Sequence, residues 1–138
     1  MRIAFALLPI ALLAACASTP DLREGQQIAL YRAHAGAPVD SFRSVGRVDS
    51  WTPLGEETLA VWTSPTRAYL LTVDGPCNDL EFARAIRLSE NTGMVHVRFD
   101  SVTPLGPGSS GLPCRIREIS PIDVPALRAA RRQAKAAG

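Results

Sequence analysis

A short apolar run that ends in a cysteine constrains this chain more than any other feature. Arg2 is followed by an apolar stretch over residues 3–13, interrupted only by Pro9, and then by Leu13-Ala14-Ala15-Cys16. The stretch is too short to span a bilayer as a stable helix, but its length is typical of a signal-peptide core. The small side chains before Cys16 would admit a peptidase. We therefore predict that residues 1–15 are a signal peptide and that the protein is exported.

The Leu-Ala-Ala-Cys segment resembles the lipobox of bacterial lipoproteins in composition, spacing and distance from the start of the chain. The resemblance implies cleavage before Cys16 and acylation of Cys16 on its sulfur and its new amino group. Residues 16–21 would then be a short tether to the membrane. Lipoprotein sorting resemblances associate Asp after the lipidated cysteine with inner-membrane retention, so Ala17 favours the inner leaflet of the outer membrane. The alternative is ordinary cleavage that leaves Cys16 as a free thiol.

The cysteine count agrees with lipidation. Besides Cys16 the chain contains Cys77 and Cys114, each of which follows a proline in a turn-like stretch. With Cys16 acylated, one pair remains in an exported chain, where disulfides form and persist. A Cys77–Cys114 disulfide is the favoured prediction, and a redox or metal-binding pair is the alternative. No CxxC or metal-ligand spacing is present, so we expect neither a metal nor a cofactor.

Length and composition predict one globular domain over residues 22–138. A chain of 138 residues with 46% hydrophobic and 20% charged positions is too short for two typical domains and too apolar for wholesale disorder. The net charge of +2, with no central basic run, makes a nucleic-acid partner unexpected.

The pattern along the domain predicts an α+β fold that is mainly antiparallel β. A helix begins at Pro20 and ends before Gly36, and a basic helix opens at Asp123 with Pro125. Between them, short runs of β-branched and aromatic residues alternate with turn residues. The predicted strands cover residues 42–51, 58–63, 68–74, 85–89, 94–102 and 114–120. We expect a curled sheet or small barrel of five to seven strands, framed by the two helices.

Candidate catalytic residues are few and scattered. His96, Arg98 and Asp100 alternate with apolar residues on the predicted strand 94–102, a pattern that is also typical of a solvated sheet face. Ser109 and Ser110 lie in a glycine-rich loop without a GxSxG elbow or a phosphate-binding motif. We therefore predict no catalytic residue and no enzymatic activity. The favoured function is a non-catalytic binding or envelope-scaffold module, and the alternative is a small periplasmic hydrolase or transferase.

Two surfaces are candidates for binding. Trp51, Trp62 and Tyr69, with Arg67 between them, would line a groove in which an arginine stacks on aromatic rings, although large rings more often fill the core of a small domain. In the C-terminal helix, four basic residues fall on one stripe that would face the membrane or an acidic envelope partner. These are Arg128, Arg131, Arg132 and Lys135. The alternative for the stripe is a solvated helix face.

Several segments of the mature chain resemble a known but uncharacterised group of proteins. They are Leu30-Tyr31-Arg32-Ala33-His34-Ala35-Gly36, Trp51-Thr52-Pro53-Leu54-Gly55, Ala60-Val61-Trp62-Thr63, Gly75-Pro76-Cys77 and Cys114-Arg115-Ile116-Arg117-Glu118-Ile119. The chain resembles a domain-of-unknown-function family of small exported lipoproteins from Gram-negative bacteria. The resemblance implies a location and supports the disulfide, but it implies no activity, substrate or catalytic residue.

Overall fold

The computed structural model of the chain describes residues 20–44 and 48–137. The predicted signal peptide, Cys16 and residues 16–19 of the tether lie outside them. Among the described residues, neither helix combines the length and the apolar character that crossing a bilayer requires.

In the described part of the chain, eight strands lie between two helices in sequence order. The elements are α1 (Pro20–Ala33), β1 (Ser41–Arg43), β2 (Ser50–Pro53), β3 (Thr58–Ser64), β4 (Arg67–Val73), β5 (Ala85–Leu88), β6 (Met94–His96), β7 (Ser101–Leu105), β8 (Cys114–Ile122) and α2 (Val124–Ala137). The predicted helices at the two ends of the domain are confirmed.

Six strands form one sheet in the order β2-β3-β4-β8-β7-β5, and β1 pairs with β6 in a second sheet. The ladders are antiparallel, and the larger sheet curls into a half-barrel. The predicted α+β architecture with a curled antiparallel sheet is therefore confirmed. Because the barrel is not closed by a β2–β5 ladder, β2 and β5 are its two edge strands.

Side chains on the inner face of the half-barrel form an inner core. β3 and β4 contribute to both faces, because residues at successive positions point to opposite sides of a sheet. Phe42 stacks on Tyr69 with the ring centroids 4.4 Å apart. Through this contact, the small β1–β6 sheet packs against the inner face of the half-barrel. The fully or nearly buried members of the inner core are Phe42, Leu59, Val61, Leu71, Val73, Cys77, Leu80, Val95, Val102, Ile116 and Ile119.

The opposite face of β3 and β4 forms a second cluster with the helices, the helix-side core. Tyr31 from α1 and Leu127 from α2 are fully buried there, beside Trp62 and Leu70 of the sheet. Asp123 begins α2 as its N-cap, because the Asp123 Oδ1 accepts a hydrogen bond of 3.1 Å from the Ala126 amide. The predicted opening of the C-terminal helix is thus explained by a capping contact.

The predicted strand over residues 42–51 is wrong as a single element. The structure places its ends in different sheets, with β1 paired to β6 and β2 paired to β3. Phe42 can therefore reach the inner core from outside the main sheet, whereas Trp51 lies on an edge strand.

The predicted strand over residues 94–102 is also divided. β6 ends at His96, a turn follows, and β7 begins at Ser101, with Arg98 in the left-handed region at a φ of 71°. The turn reverses the expected burial, because Phe99 is 88% exposed and Asp100 only 7% exposed. Simple alternation would have placed Phe99 in the core and Asp100 in solvent.

The predicted disulfide is present. Cys77 and Cys114 are bonded; their Cα atoms are 6.0 Å apart, and the two residues are separated by 37 in sequence number. The bond joins the segment that follows β4 to the first residue of β8, beside the inner core.

Candidate functional site

The aromatic groove predicted from the sequence does not form as one surface. Trp51 lies opposite Val61, and Val61 lies opposite Tyr69, so these side chains share one face of the sheet. Trp62 is one position further along β3 and points to the other face, into the helix-side core. Arg67 is exposed where β4 begins. The alternation of a strand therefore separates Trp62 from Trp51 and Tyr69.

Arginines do pack on aromatic rings, but they come from α2 instead of the β3–β4 turn. The Arg128 guanidinium lies 5.8 Å from the centroid of Trp62, and its Nη2 donates to the Pro65 carbonyl. The Arg131 guanidinium lies 4.9 Å from the centroid of Tyr31 and donates to the Tyr31 hydroxyl. Both contacts attach α2 to the rest of the domain.

These contacts divide the predicted basic stripe. Arg128 and Arg131 turn toward the domain, where cation–π contacts occupy them. Arg132 and Lys135 are exposed on the same helix. Arg128 is exposed as well, but its guanidinium is held by Trp62 and the Pro65 carbonyl. Arg132 and Lys135, nearer the C-terminal end of α2, are the exposed cations outside these contacts.

A groove of about 360 Å³ lies at the open seam of the half-barrel, and we call it the seam groove. One side is formed by Ser44, Val48 and Trp51, and the other by Arg84, edge strand β5 and Glu90. Trp51 lies on edge strand β2 and β5 is the opposite edge of the six-stranded sheet, while Ser44 follows β1 and Val48 precedes β2. The groove thus occupies the place where a strand would be needed to close the barrel.

The seam groove combines an apolar base with charged sides. Ile86, Leu88 and Trp51 are half-buried and pack against the inner core. Arg84 and Arg87 are exposed, as is Glu90. An aromatic ring, aliphatic side chains and guanidinium groups at one concave surface can bind an extended group that carries negative charge.

His96 lies in a hydrogen-bonded network centred on the buried Asp100. The Asp100 Oδ1 accepts from the Ser89 hydroxyl at 2.7 Å, and the Oδ2 accepts from the His96 amide at 2.7 Å. The His96 Nδ1 is 3.6 Å from the same Oδ2. Ser89 also accepts from the Ser101 amide.

The carboxylate, and not the imidazole, is the partner of the serine in this network. A nucleophilic triad instead needs the histidine to take the serine proton. The arrangement therefore ties β6, β7 and the end of β5 together.

The disulfide end of the domain carries a second polar contact. Asp79 Oδ2 accepts hydrogen bonds from the Ser110 hydroxyl at 2.7 Å and from the Ser110 amide at 2.9 Å. These bonds favour the carboxylate and hold the pKa of Asp79 below its ordinary value of 3.8. The contact fixes the glycine-rich loop beside the Cys77–Cys114 bond, which gives Ser110 a structural partner. Ser109 likewise donates to the Pro104 carbonyl.

Within residues 20–44 and 48–137, no group of three or more His, Cys, Asp or Glu side chains is arranged to hold a metal ion. The seam groove was missed by sequence reasoning. Residues 85–89 were predicted as a strand, but periodicity does not show that this strand lies at a sheet edge or opposite Trp51. The groove forms because the curl of the sheet places its two edges on either side of one opening.

Comparison with known proteins identifies one family. A family model described as "Family of unknown function (DUF6491)" matches residues 1–138. Neither a curated protein nor a solved structure matches the chain.

Proposed function

The chain belongs to the DUF6491 family of unknown function, and we propose that it is a periplasmic lipoprotein that binds another component of the cell envelope without catalysing a reaction. Its proposed partners are the membrane, through lipid on Cys16, and an envelope protein at the seam groove. The proposed location is the inner leaflet of the outer membrane.

Two features of different kinds support export and anchoring. The Leu-Ala-Ala-Cys segment ends at Cys16 after a short apolar run, as in lipoprotein precursors. The remaining cysteines form the Cys77–Cys114 disulfide, a bond that persists in oxidising compartments such as the periplasm. Neither a signal-peptide core nor a stable disulfide is expected in a cytosolic protein.

The observation that carries the binding function is the seam groove. Its apolar base and flanking arginines resemble a recognition surface, with an aromatic anchor at Trp51 beside polar groups that select the ligand. The histidine network, by contrast, consists of groups whose hydrogen bonds are used to join strands. The geometry therefore favours binding over catalysis.

Metabolic labelling with a clickable palmitate tests the anchor. We expect label on the wild-type protein and its loss in Cys16→Ala, because the thiol is the acylated atom. The double variant Cys77→Ser/Cys114→Ser is the matched control, since it removes the other two cysteines and should keep the label. Label that persists in Cys16→Ala would refute acylation at that residue.

The proposed membrane can be tested at the residue after the lipid. Ala17→Asp should move the protein from the outer- to the inner-membrane fraction, whereas Ala17→Ser should leave it in the outer membrane. If wild-type protein fractionates with the inner membrane, the outer-membrane location is wrong.

Affinity capture from envelope extracts tests the binding function. The detergent-solubilised, lipidated protein should retain one stoichiometric partner, and Trp51→Ala or Arg87→Ala should lose it. Arg67→Ala removes an exposed arginine outside the groove and should retain the partner. Turnover of an envelope substrate that disappears in His96→Ala would instead establish an enzyme.

A further inference from the structure

The free edge of β5 offers backbone groups to a ligand. Over the described residues, 20–44 and 48–137, β5 pairs with β7 on one side only. Its ladder aligns Leu88 with Val102 and Ile86 with Pro104, and the Ser89 amide donates to the Ser101 carbonyl just beyond. Because hydrogen-bonded positions alternate along an antiparallel pair, the backbone N–H and C=O groups of Ile86 and Leu88 point away from β7. They form a two-residue template for another strand.

This template lies along the seam groove. Ile86 and Leu88 line the groove, and Trp51 stands on the opposite side. A chain that pairs with β5 here would place alternate side chains toward Trp51 and the inner core. Strand addition of this kind obtains affinity from main-chain hydrogen bonds and selectivity from side-chain pockets.

The charges at this edge favour an acidic occupant. Arg84 and Arg87 are exposed and line the groove, where they outnumber the one carboxylate among its described lining residues, Glu90. A second copy of the protein fits less well. If Ile86 of one copy paired with Leu88 of the other, the two Arg87 side chains would lie directly opposite each other, where like charges are destabilising. Carboxylates on a different chain would meet both guanidinium groups favourably.

Exposed phenyl rings lie at both ends of the same edge. Phe82 is 84% exposed three positions before β5, and Phe99 is 88% exposed next to Asp100, which binds Ser89 at the other end of β5. Large exposed rings beside a sheet edge are typical of an interaction surface.

We propose that an extended, acidic segment of a partner protein adds to β5 as an antiparallel strand, filling the seam and pairing its carboxylates with Arg84 and Arg87. The inference rests on the proposed binding function and names the chemistry of its ligand. The partner segment would alternate acidic residues, on the face of Arg87, with apolar residues, which face Trp51. An acidic residue beyond the paired segment would meet Arg84, which precedes β5.

The test uses the full-length protein, purified from membranes in detergent, and a fluorescent seven-residue peptide of alternating Glu and Val. We expect saturable binding by anisotropy below about 1 mM peptide. We also expect slower amide hydrogen exchange at Ile86 and Leu88 when the peptide is bound. A peptide of alternating Lys and Val is the charge control and should bind more weakly.

Charge reversal makes the assignment specific. Arg84→Glu/Arg87→Glu should weaken binding of the acidic peptide by about tenfold or more and should strengthen binding of the lysine peptide. Arg67→Glu, outside the groove, should change neither affinity. Circular dichroism of each variant checks that the fold is intact. If the double variant does not fold, the single variant Arg87→Glu should show the same direction of change.

Three outcomes would overturn the proposal. The first is no binding at about 1 mM acidic peptide, and the second is binding without exchange protection at β5. The third is protection of β5 without peptide, either in a dimer or on vesicles of phosphatidylglycerol, which would assign the edge to a second copy or to lipid. If envelope capture still depends on Trp51 in any of these cases, the binding function stands and only strand addition fails.

Discussion

Arg131 shows how a residue that sequence periodicity assigns to a solvent-facing stripe can hold two elements together. Its guanidinium lies over the Tyr31 ring and donates to the Tyr31 hydroxyl, so it joins α2 to α1. Tyr31 is fully buried in the helix-side core, and the Arg131 guanidinium packs over its ring. The same group therefore makes a cation–π contact and provides a hydrogen-bond partner for the buried hydroxyl.

We predict that Arg131→Gln lowers the free energy of unfolding by about 1 kcal/mol, the magnitude typical of a partly desolvated cation–π contact. Arg132→Gln is the matched control, because Arg132 is exposed on the same helix, and it should change stability by less than about 0.5 kcal/mol. Urea unfolding of both variants measures the difference. Equal effects of the two substitutions would mean that the contact with Tyr31 does not add to the free energy of unfolding.

Asp79 makes a residue-scale prediction about pH. The Ser110 hydroxyl, and then the Ser110 amide, hold the pKa of Asp79 below 3.8 in the folded protein. A lowered folded-state pKa contributes stability that is present above the unfolded value and is lost as pH falls through the folded value. The loop contact should therefore persist at neutral pH and weaken only below about pH 3.8.

The Ser110 amide shift, followed by NMR, should change with the Asp79 titration in this acidic range. In Asp79→Asn the same titration should be missing. A transition of the Ser110 amide near neutral pH would contradict the assignment.

At the scale of elements, Asp100 explains why residues 94–102 do not form one strand. Its carboxylate accepts from the His96 amide and from the Ser89 hydroxyl, so it stabilises a turn between β6 and β7 and ties that turn to the end of β5. The Asp100 amide also donates to the His96 carbonyl. The alternation of polar and apolar residues suits a strand, but local side-chain-to-backbone hydrogen bonds compete with strand pairing.

Asp100→Ala should destabilise the domain by about 1–3 kcal/mol, because it leaves the His96 amide and the Ser89 hydroxyl without their acceptor in a partly buried place. Asp100→Asn keeps one acceptor oxygen and should cost less. Glu90→Ala, at an exposed neighbouring position, is the control and should be close to neutral. Thermal unfolding ranks the variants. The role of Asp100 as a turn-forming residue would be wrong if its Ala variant matched the control.

The sequence was informative about local structure and less so about what meets across the domain. Pro20 and Asp123 mark the helix starts, and short β-branched runs mark β3, β4, β5 and β8, because these signals depend on neighbouring residues. The disulfide followed from cysteine parity. The seam groove could not be predicted in this way, since Trp51 and β5 are brought together only by the curl of the sheet. Pairing across a sheet is non-local, so no periodicity encodes it.

For the whole molecule, the division of the basic stripe bears on how an anchored domain would lie on its membrane. Arg128 and Arg131 are held by Trp62 and Tyr31, although Arg128 is also exposed, whereas Arg132 and Lys135 are exposed cations of the stripe outside these contacts. A lipid on Cys16 would hold the domain beside phospholipid headgroups, where each exposed cation adds up to about 1 kcal/mol at a strongly anionic surface. The orientation of the domain would then depend on the C-terminal end of α2.

We therefore predict that a chain secreted without Cys16 binds vesicles rich in phosphatidylglycerol and that this binding weakens as salt rises, because mobile ions screen the attraction. Arg132→Gln/Lys135→Gln removes two exposed charges and should reduce the vesicle affinity by up to about 30-fold with little change in stability. Arg98→Gln removes an exposed charge from the turn between β6 and β7, outside α2, and should leave affinity unchanged. Cosedimentation at several salt concentrations measures each. If the double variant binds as tightly as wild type, the stripe does not orient the domain, and the lipid on Cys16 alone would set its distance from the membrane.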